Sequence, residues 1–258
     1  MDKFVFKKKY GQNFLQNDKI LDDIVSSFCC DKDIKILEIG PGAGALTKKL
    51  IKLGNSVTAF EIDIDLKIEL DKINCDNLRV IYNDFLDIKL LDYFNKNDRI
   101  SVVANIPYYI TTPIITKFID ENIIPKEMVL MVQKEVAERL SSKPKNKEYG
   151  AISVILSYYF DILYLFTVNR NCFYPVPNVE SAVIKLKKRE SLLPLTNFDK
   201  YKNLVYDAFK QKRKTLRNNL KKYDLEKIES ILLKHNLSLN SRAEEVDYEV
   251  FVDICNNI

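Results

Sequence analysis

Histidine occurs once in this chain, glycine six times and proline eight times. No apolar run approaches the roughly 18 residues that a membrane-crossing helix needs. So little glycine and proline, with a charged fraction of 29%, argues against a disordered chain. The five cysteines (Cys29, Cys30, Cys75, Cys172 and Cys255) are an odd number and show no Cys-x-x-Cys spacing. That speaks against a disulfide framework or a zinc site and suits a reducing compartment. The one histidine, His235, stands far along the chain from every motif described below. No metal is expected, and no histidine base. The opening MDKFVFKKKYGQNFL has no apolar signal core and is not rich in serine and arginine, so the expected place of action is the cytoplasm. A net charge of +4 says little about partners by itself.

What is present is a core-forming chain. At 258 residues and 47% hydrophobic it can bury one large domain, or one domain and a small satellite. IKILEI at 34–39 is a short apolar run that ends in a glycine cluster, as a buried parallel strand does. A helical pattern over 45–53 is closed by Gly54. Further strands are expected over 56–60, 78–82, 100–104, 128–132 and 162–168, with helical spacing between most of them. Thr112 followed by Pro113 reads as an N-cap with proline at the first helical position. SAVIKLK at 181–187 alternates, as an edge or antiparallel strand does. Strand and helix alternate from about residue 34 to 168, the pattern of a doubly wound α/β sheet. After Arg189 comes a linker, ESLLPLTNFD, and then helix only. The expected domains are 1–189 and 190–258, the second small and helical.

Charge is segregated in that tail. Residues 200–222 hold nine lysines and arginines against one acid, Asp207; residues 223–258 hold three against eight acids. The densest part is FKQKRKTLRNNL at 209–220. A charge run can be an ordinary solvated face. A single-signed run also repels itself unless a polyanion neutralises it, and with Lys7, Lys8 and Lys9 it suggests phosphate contacts by Lys210, Lys212, Arg213, Lys214 and Arg217.

EIGPGAG at 38–44 follows the first strand of the alternating region and opens its first helix. Gly40, Gly42 and Gly44 let backbone approach a ligand at a helix N-terminus, although such loops also serve as plain tight turns. The G-x-G-x-G spacing is one residue short of the dinucleotide fingerprint, which argues for a cofactor without phosphates. Acids stand at three consecutive strand ends: Glu38, Glu61 and Asp84. A lone acid there is usually a cap or a solvated charge. Three on the carboxyl edge of one sheet fit a nucleoside, with Glu61 accepting from the ribose hydroxyls and Asp84 from the adenine amine. An adenosine-type cofactor without phosphates points to S-adenosylmethionine.

With these residues in place, NIPY at 105–108 completes a pattern, and the chain resembles the ribosomal RNA adenine N6,N6-dimethyltransferase family. GQNFL at 11–15, QKEVAERL at 133–140, FYPVPNVES at 173–181 and the basic 209–220 segment match it in order, so the resemblance covers essentially the whole chain. It implies a Rossmann-like methyltransferase fold with a helical RNA-binding tail, acting as a monomer on the small-subunit ribosomal RNA of an immature subunit. It implies that Asn105 and the Ile106 carbonyl accept the two hydrogens of the target amine. Pro107 fixes that turn, and Tyr108 and Phe173 sandwich the base; ordinary core packing is the competing reading of both rings. It also carries over Asn13, Leu15, Ile62 and Phe85 as cofactor contacts beside the glycines, Glu61, Asp84 and Asn105. Three rivals remain: the macrolide-resistance methyltransferases of large-subunit RNA, a DNA adenine methyltransferase, which usually carries Asn-Pro-Pro-Tyr, and a non-catalytic RNA-binding assembly factor.

Overall fold

The computed structural model describes residues 13–29, 31–106 and 110–258. Lys7, Lys8, Lys9, Gly11, Gln12, Cys30, Pro107 and Tyr108 lie outside the described residues. The chain divides into two compact units, 1–137 with 163–188 and 138–162 with 189–258.

The first unit is built on strands. After β1 (Phe14–Leu15) and α1 (Asp18–Ser26) come β2 (Lys35–Ile39), α2 (Thr47–Leu50), β3 (Val57–Glu61), α3 (Lys67–Leu70), β4 (Leu78–Tyr82), β5 (Ile100–Asn105), α4 (Thr111–Asp120) and β6 (Glu127–Gln133). In chain order next come α5 (Lys134–Ser141), which crosses into the second unit, and α6 (Ala151–Tyr159), which belongs to it, then β7 (Phe160–Val168), β8 (Phe173–Tyr174) and β9 (Ser181–Lys188). Seven strands form one sheet in the order β4-β3-β2-β5-β6-β9-β7. The first five strands of that order are parallel, and β9 pairs antiparallel with β6 from Glu127↔Lys187 to Gln133↔Ser181. β2 has β3 on one side and β5 on the other, so the winding reverses there, where open α/β sheets bind ligands.

The apolar runs explain this layout. Four of the five β2 residues are buried, as in a strand covered on both faces. α1 is capped by Asn17, whose side chain accepts from the Ile20 N–H at 3.1 Å, and turns Leu21 and Ile24 inward. A two-stranded sheet pairs β1 with β8, Phe14↔Tyr174 and Leu15↔Phe173, fixing the segment that carries Asn13.

Of three local expectations, the first is met and two are corrected. Ser181–Lys188 is antiparallel but interior; the sheet edge beyond it is β7, and the N-terminal half of β9 is buried. Helix α4 starts at Thr111 with Ile110 as N-cap, so Thr112 and Pro113 are its second and third residues. Proline is tolerated there because first-turn N–H groups have no partner within the helix. The third is the basic segment. It was expected to be helical, but helix ends at Phe209 and only Leu216–Asn219 resumes it. Lys210, Arg213 and Lys214, three and four positions apart, would repel on a helix face. Asn219 instead donates to the Ala208 carbonyl at 2.6 Å, and Thr215 bridges to Arg242.

The second unit is helical. It contains α6, α7 (Phe198–Phe209), α8 (Leu216–Asn219), α9 (Leu225–Lys234) and α10 (Tyr248–Asn257). Asn197 and Asp224 cap α7 and α9 through their side chains. Tyr201, Leu204, Leu216, Leu220, Ile228 and Phe251 are fully buried at its centre. The Tyr201 hydroxyl donates to the Val154 carbonyl at 3.0 Å, which ties α7 to α6. Residues 138–162, placed by the sequence reading with the first domain, therefore cluster with the tail: α6 turns Val154, Ile155 and Tyr158 into this helical core. His235 lies in this unit, its ring nitrogen 3.1 Å from the Asp253 carboxylate.

Candidate active site

A cleft opens at the carboxyl edge of β2, β3 and β5, at the reversal of strand order. It is lined by the loop after β2, by Glu38, Glu61 and Ile62, by Asn105 and Ile106, and on its outer side by Asn13, Phe14 and Leu15. Parallel register brings these ends together. Ile39 lies beside Ala104 and Phe60, and Asn105 lies beside Met131.

The loop is shaped by glycine at two positions where nothing else fits. Gly42 has φ +59°, and a Cβ there would stand 2.7 Å from the Phe14 ring. Its N–H donates to one Glu61 carboxylate oxygen at 3.0 Å; the other accepts from the Asp63 N–H at 2.8 Å. Glu61 is thus clamped by backbone before any ligand arrives. Burial raises its pKa, while the same two N–H groups oppose the rise. Gly44 does not face the cleft. A Cβ on it would stand 2.4 Å from the Ile73 side chain, so its role is the close approach of loop and helix.

Glu38 is the group the sequence reading underused: it was noted as a strand-end acid but not counted among the contacts. It is 1% exposed, it lines the cleft, and its Oε2 accepts no hydrogen bond. Burial pushes its carboxyl up to about 8. The Thr47 hydroxyl, close but not aligned for a full hydrogen bond, opposes that rise, and the Glu61 charge adds to it. With no cation among the described lining residues, the Glu61 carboxylate makes this cleft hostile to a phosphate, and a positively charged ligand would favour ionisation of Glu38 beside it. Among the described residues no group of three or more histidine, cysteine or acidic side chains could hold a metal ion.

At the end of β5, the Asn105 amide nitrogen donates to the Asn13 carbonyl at 3.3 Å. That bond orients the amide and leaves its oxygen as an acceptor at the cleft. The Ile106 side chain is buried, and its N–H donates to the Met131 carbonyl at 3.2 Å.

Other expected contacts sit elsewhere. Asp84 does not line the cleft; its carboxylate accepts from the Leu86 N–H at 2.8 Å. Phe85 is a core ring, edge-on to Phe60 with centroids 5.5 Å apart. Phe173, the expected second stacking ring, is 3% exposed and clusters with Leu15, its partner across the small sheet. Cleft residues that the reading missed, Phe14, Ala104 and Met131 among them, carry no chemical signature and arrive through strand register. Lys210, Lys212, Arg213, Lys214 and Arg217 are all exposed, in the second unit.

The sequence profile of the ribosomal RNA adenine dimethylase family matches residues 3–258. The ribosomal RNA small subunit methyltransferase A of Aster yellows witches'-broom phytoplasma (strain AYWB) is 45% identical over 252 residues, covering 95% of this chain and 93% of that protein. The solved structure of a dimethyladenosine transferase from Plasmodium falciparum superposes with a TM-score of 0.79 at 30% identity, covering 93% of this chain and 95% of that one. The 23S rRNA methyltransferase ErmE gives a TM-score of 0.76 at 26% identity, covering 95% of this chain and 99% of that one. With a parallel sheet that reverses its order at an acid-lined cleft, and with a profile match along nearly its whole length, the chain belongs to the ribosomal RNA adenine dimethylase family.

Proposed function

We propose that the chain transfers methyl groups from S-adenosylmethionine to N6 of adenosines in small-subunit ribosomal RNA, giving N6,N6-dimethyladenosine. The observation that carries this reading is the pairing of two buried carboxyl groups, with no cation among the described lining residues, with the tethered amide of Asn105 in one cleft. S-adenosylmethionine, when bound, supplies an electrophilic methyl group on a sulfonium. Its positive charges and lack of phosphate suit a cleft floored by Glu38 and Glu61. Glu61, already oriented by two N–H groups, has lone pairs left for ribose hydroxyls. Asn13, Leu15, Gly40, Gly42 and Ile62 wall the ligand in. Asp84 would meet the adenine amine with the oxygen not engaged at Leu86. Gly44 and Phe85 act behind the wall, holding the loop and the strand end in place.

The target is an exocyclic adenine amine, a weak nucleophile because its lone pair is delocalised into the ring. The Asn105 oxygen and the Ile106 carbonyl each accept one amine hydrogen, which localises the lone pair and aims it. Pro107 and Tyr108 are assigned the turn and the stacking face on sequence grounds. Stacking on an aromatic ring contributes roughly 1–3 kcal/mol, and the base must leave its own stack to reach it. No dedicated base is required, since the alkylated nitrogen is acidic and loses its proton to water. Most of the acceleration comes from positioning. The cations of the second unit hold the RNA through its phosphates.

The test is methyl transfer from labelled cofactor to unmodified small subunits, unmodified large-subunit RNA and DNA, followed by nucleoside analysis. Dimethyladenosine from small subunits alone is expected. Product on large-subunit RNA or on DNA would overturn the reading.

A further inference from the structure

The cations of the second unit are not spread evenly between paired and unpaired. Several have acids: Lys222 sits 2.7 Å from Asp207, Arg189 2.8 Å from Asp161 and Arg217 3.7 Å from Glu229. Lys210, Lys212, Arg213 and Lys214 are in no ion pair within 4.0 Å among the described residues, and neither are Lys143 and Lys145. These two groups lie about 65 residues apart in sequence, yet the fold brings them together. The Lys212 ammonium donates to the Lys147 carbonyl at 2.7 Å. The Lys145 N–H donates to the Glu244 carbonyl at 2.8 Å, while Thr215 bridges to Arg242 in the same short segment. Tyr149, buried at the end of the lysine loop, meets Phe209 edge-on with centroids 6.2 Å apart, one residue before Lys210. The loop 143–148 has three cations to one acid, and 210–217 has five to none. Lys143, Lys145 and Lys147 are all exposed, the Lys147 side chain by 88%. Lys145 holds φ +72°, a left-handed conformation that lysine does not favour.

We propose that the loop 143–148 is a second phosphate-binding arm, forming with 210–217 one continuous surface for an RNA backbone. This rests on the proposed RNA substrate and extends it to residues outside the basic tail. The ligand is a phosphodiester chain, recognised by charge and not by base sequence. Cations gathered on one surface with few acids among them repel one another, and a polyanion supplies the missing counter-charge. A single-signed patch assembled from two distant stretches binds more phosphates than either stretch can. Its contribution therefore appears in the salt dependence of binding, at about 0.7–0.9 in log–log slope for each phosphate engaged.

The experiment compares the full chain with K143Q/K145N/K147Q, using unmodified small-subunit ribosomal RNA as probe across a salt series. Asparagine at 145 is chosen because it accepts a positive φ. The expected result is a slope shallower by about 2 and an affinity about tenfold or more weaker at low salt. Cofactor affinity and thermal midpoint stay unchanged, and arginine at 143 and 147 keeps the wild-type slope. A second variant, K227Q/K234Q, which removes two charges elsewhere in the unit, leaves the slope within about half of one contact. An unchanged slope in the loop variant, with wild-type RNA binding intact, overturns the second arm and leaves the proposed function standing. A defect seen with assembled subunits but not with bare RNA assigns the loop to a ribosomal protein and also overturns it. Failure of the wild-type chain to bind ribosomal RNA at all overturns the proposed function together with the arm.

Discussion

The two units carry opposite electrostatic imbalances. In the first, Glu61 is buried in a cleft beside a Glu38 that keeps its proton at neutral pH, with no cation among the described lining residues. In the second, Lys143, Lys145, Lys210, Lys212, Arg213 and Lys214 are exposed and in no ion pair within 4.0 Å among the described residues. Other buried or half-buried carboxylates in the first unit have an ammonium beside them, as at Lys117–Glu121 and at Lys185–Glu127, where the distance is 2.7 Å. Unpaired charge lowers stability, so the places where it persists indicate the sign of what binds there. The acidic cleft awaits a cation of nucleoside size; the basic surface awaits a polyanion.

The largest effect should separate chemistry from binding within the first unit. Asn105→Ala removes an acceptor that the target amine needs, while Glu61 and the glycine loop, which carry most of the cofactor's contacts, stay in place. Methyl transfer should fall by at least about 10²–10³-fold, with the cofactor dissociation constant changed less than about threefold. Equal loss of both would contradict the assigned role. Next in size is Glu61→Gln, which replaces one of two clamped oxygens with an amide donor facing an N–H. Cofactor affinity measured by titration calorimetry should fall about 10–100-fold, while RNA affinity stays constant. Loss of RNA binding as well would erase the division of labour between the units.

Gly42→Ala tests the loop. Its Cβ would collide with the Phe14 ring, and its φ of +59° disfavours any side chain. The folded state should lose about 1–3 kcal/mol by denaturant unfolding, and cofactor binding should weaken with it.

The smallest effect depends on pH. Glu38 titrates at about 8 in the folded protein against an ordinary value of 4.5. Between those values the folded protein keeps a proton that the unfolded chain has released, so stability falls as pH rises from 4.5 towards 8. Glu38→Gln should remove that slope, matching the wild type near pH 4 and exceeding it above pH 8 by on the order of a few kcal/mol. Glu61, raised in the same direction, leaves a residual slope in the variant. Parallel curves for the two proteins would show that Glu38 is ionised throughout.

Much of this was legible in the sequence, and the illegible parts share a cause. Alternating apolar runs and a glycine loop place Glu38, Glu61 and Asn105 on one edge, because parallel strands all end there. Met131 and Ala104 join the cleft through register, which no residue type announces. FYPVP reads as a loop that offers an aromatic ring, and Phe173 is buried and clusters with Leu15, its partner across the small sheet. Lysines at 143, 145 and 147, mixed with proline, asparagine and glutamate, resemble any solvated loop. Only the contact of Lys212 with Lys147 reveals what they adjoin.

The most direct test of this division is one salt series, read for both ligands on one preparation of the full chain. The account predicts that affinity for small-subunit ribosomal RNA falls steeply, by about 10³-fold or more between 50 and 200 mM salt, while affinity for S-adenosylmethionine changes less than about threefold. Cofactor and RNA affinities that weaken in parallel, or RNA binding indifferent to salt, would contradict it.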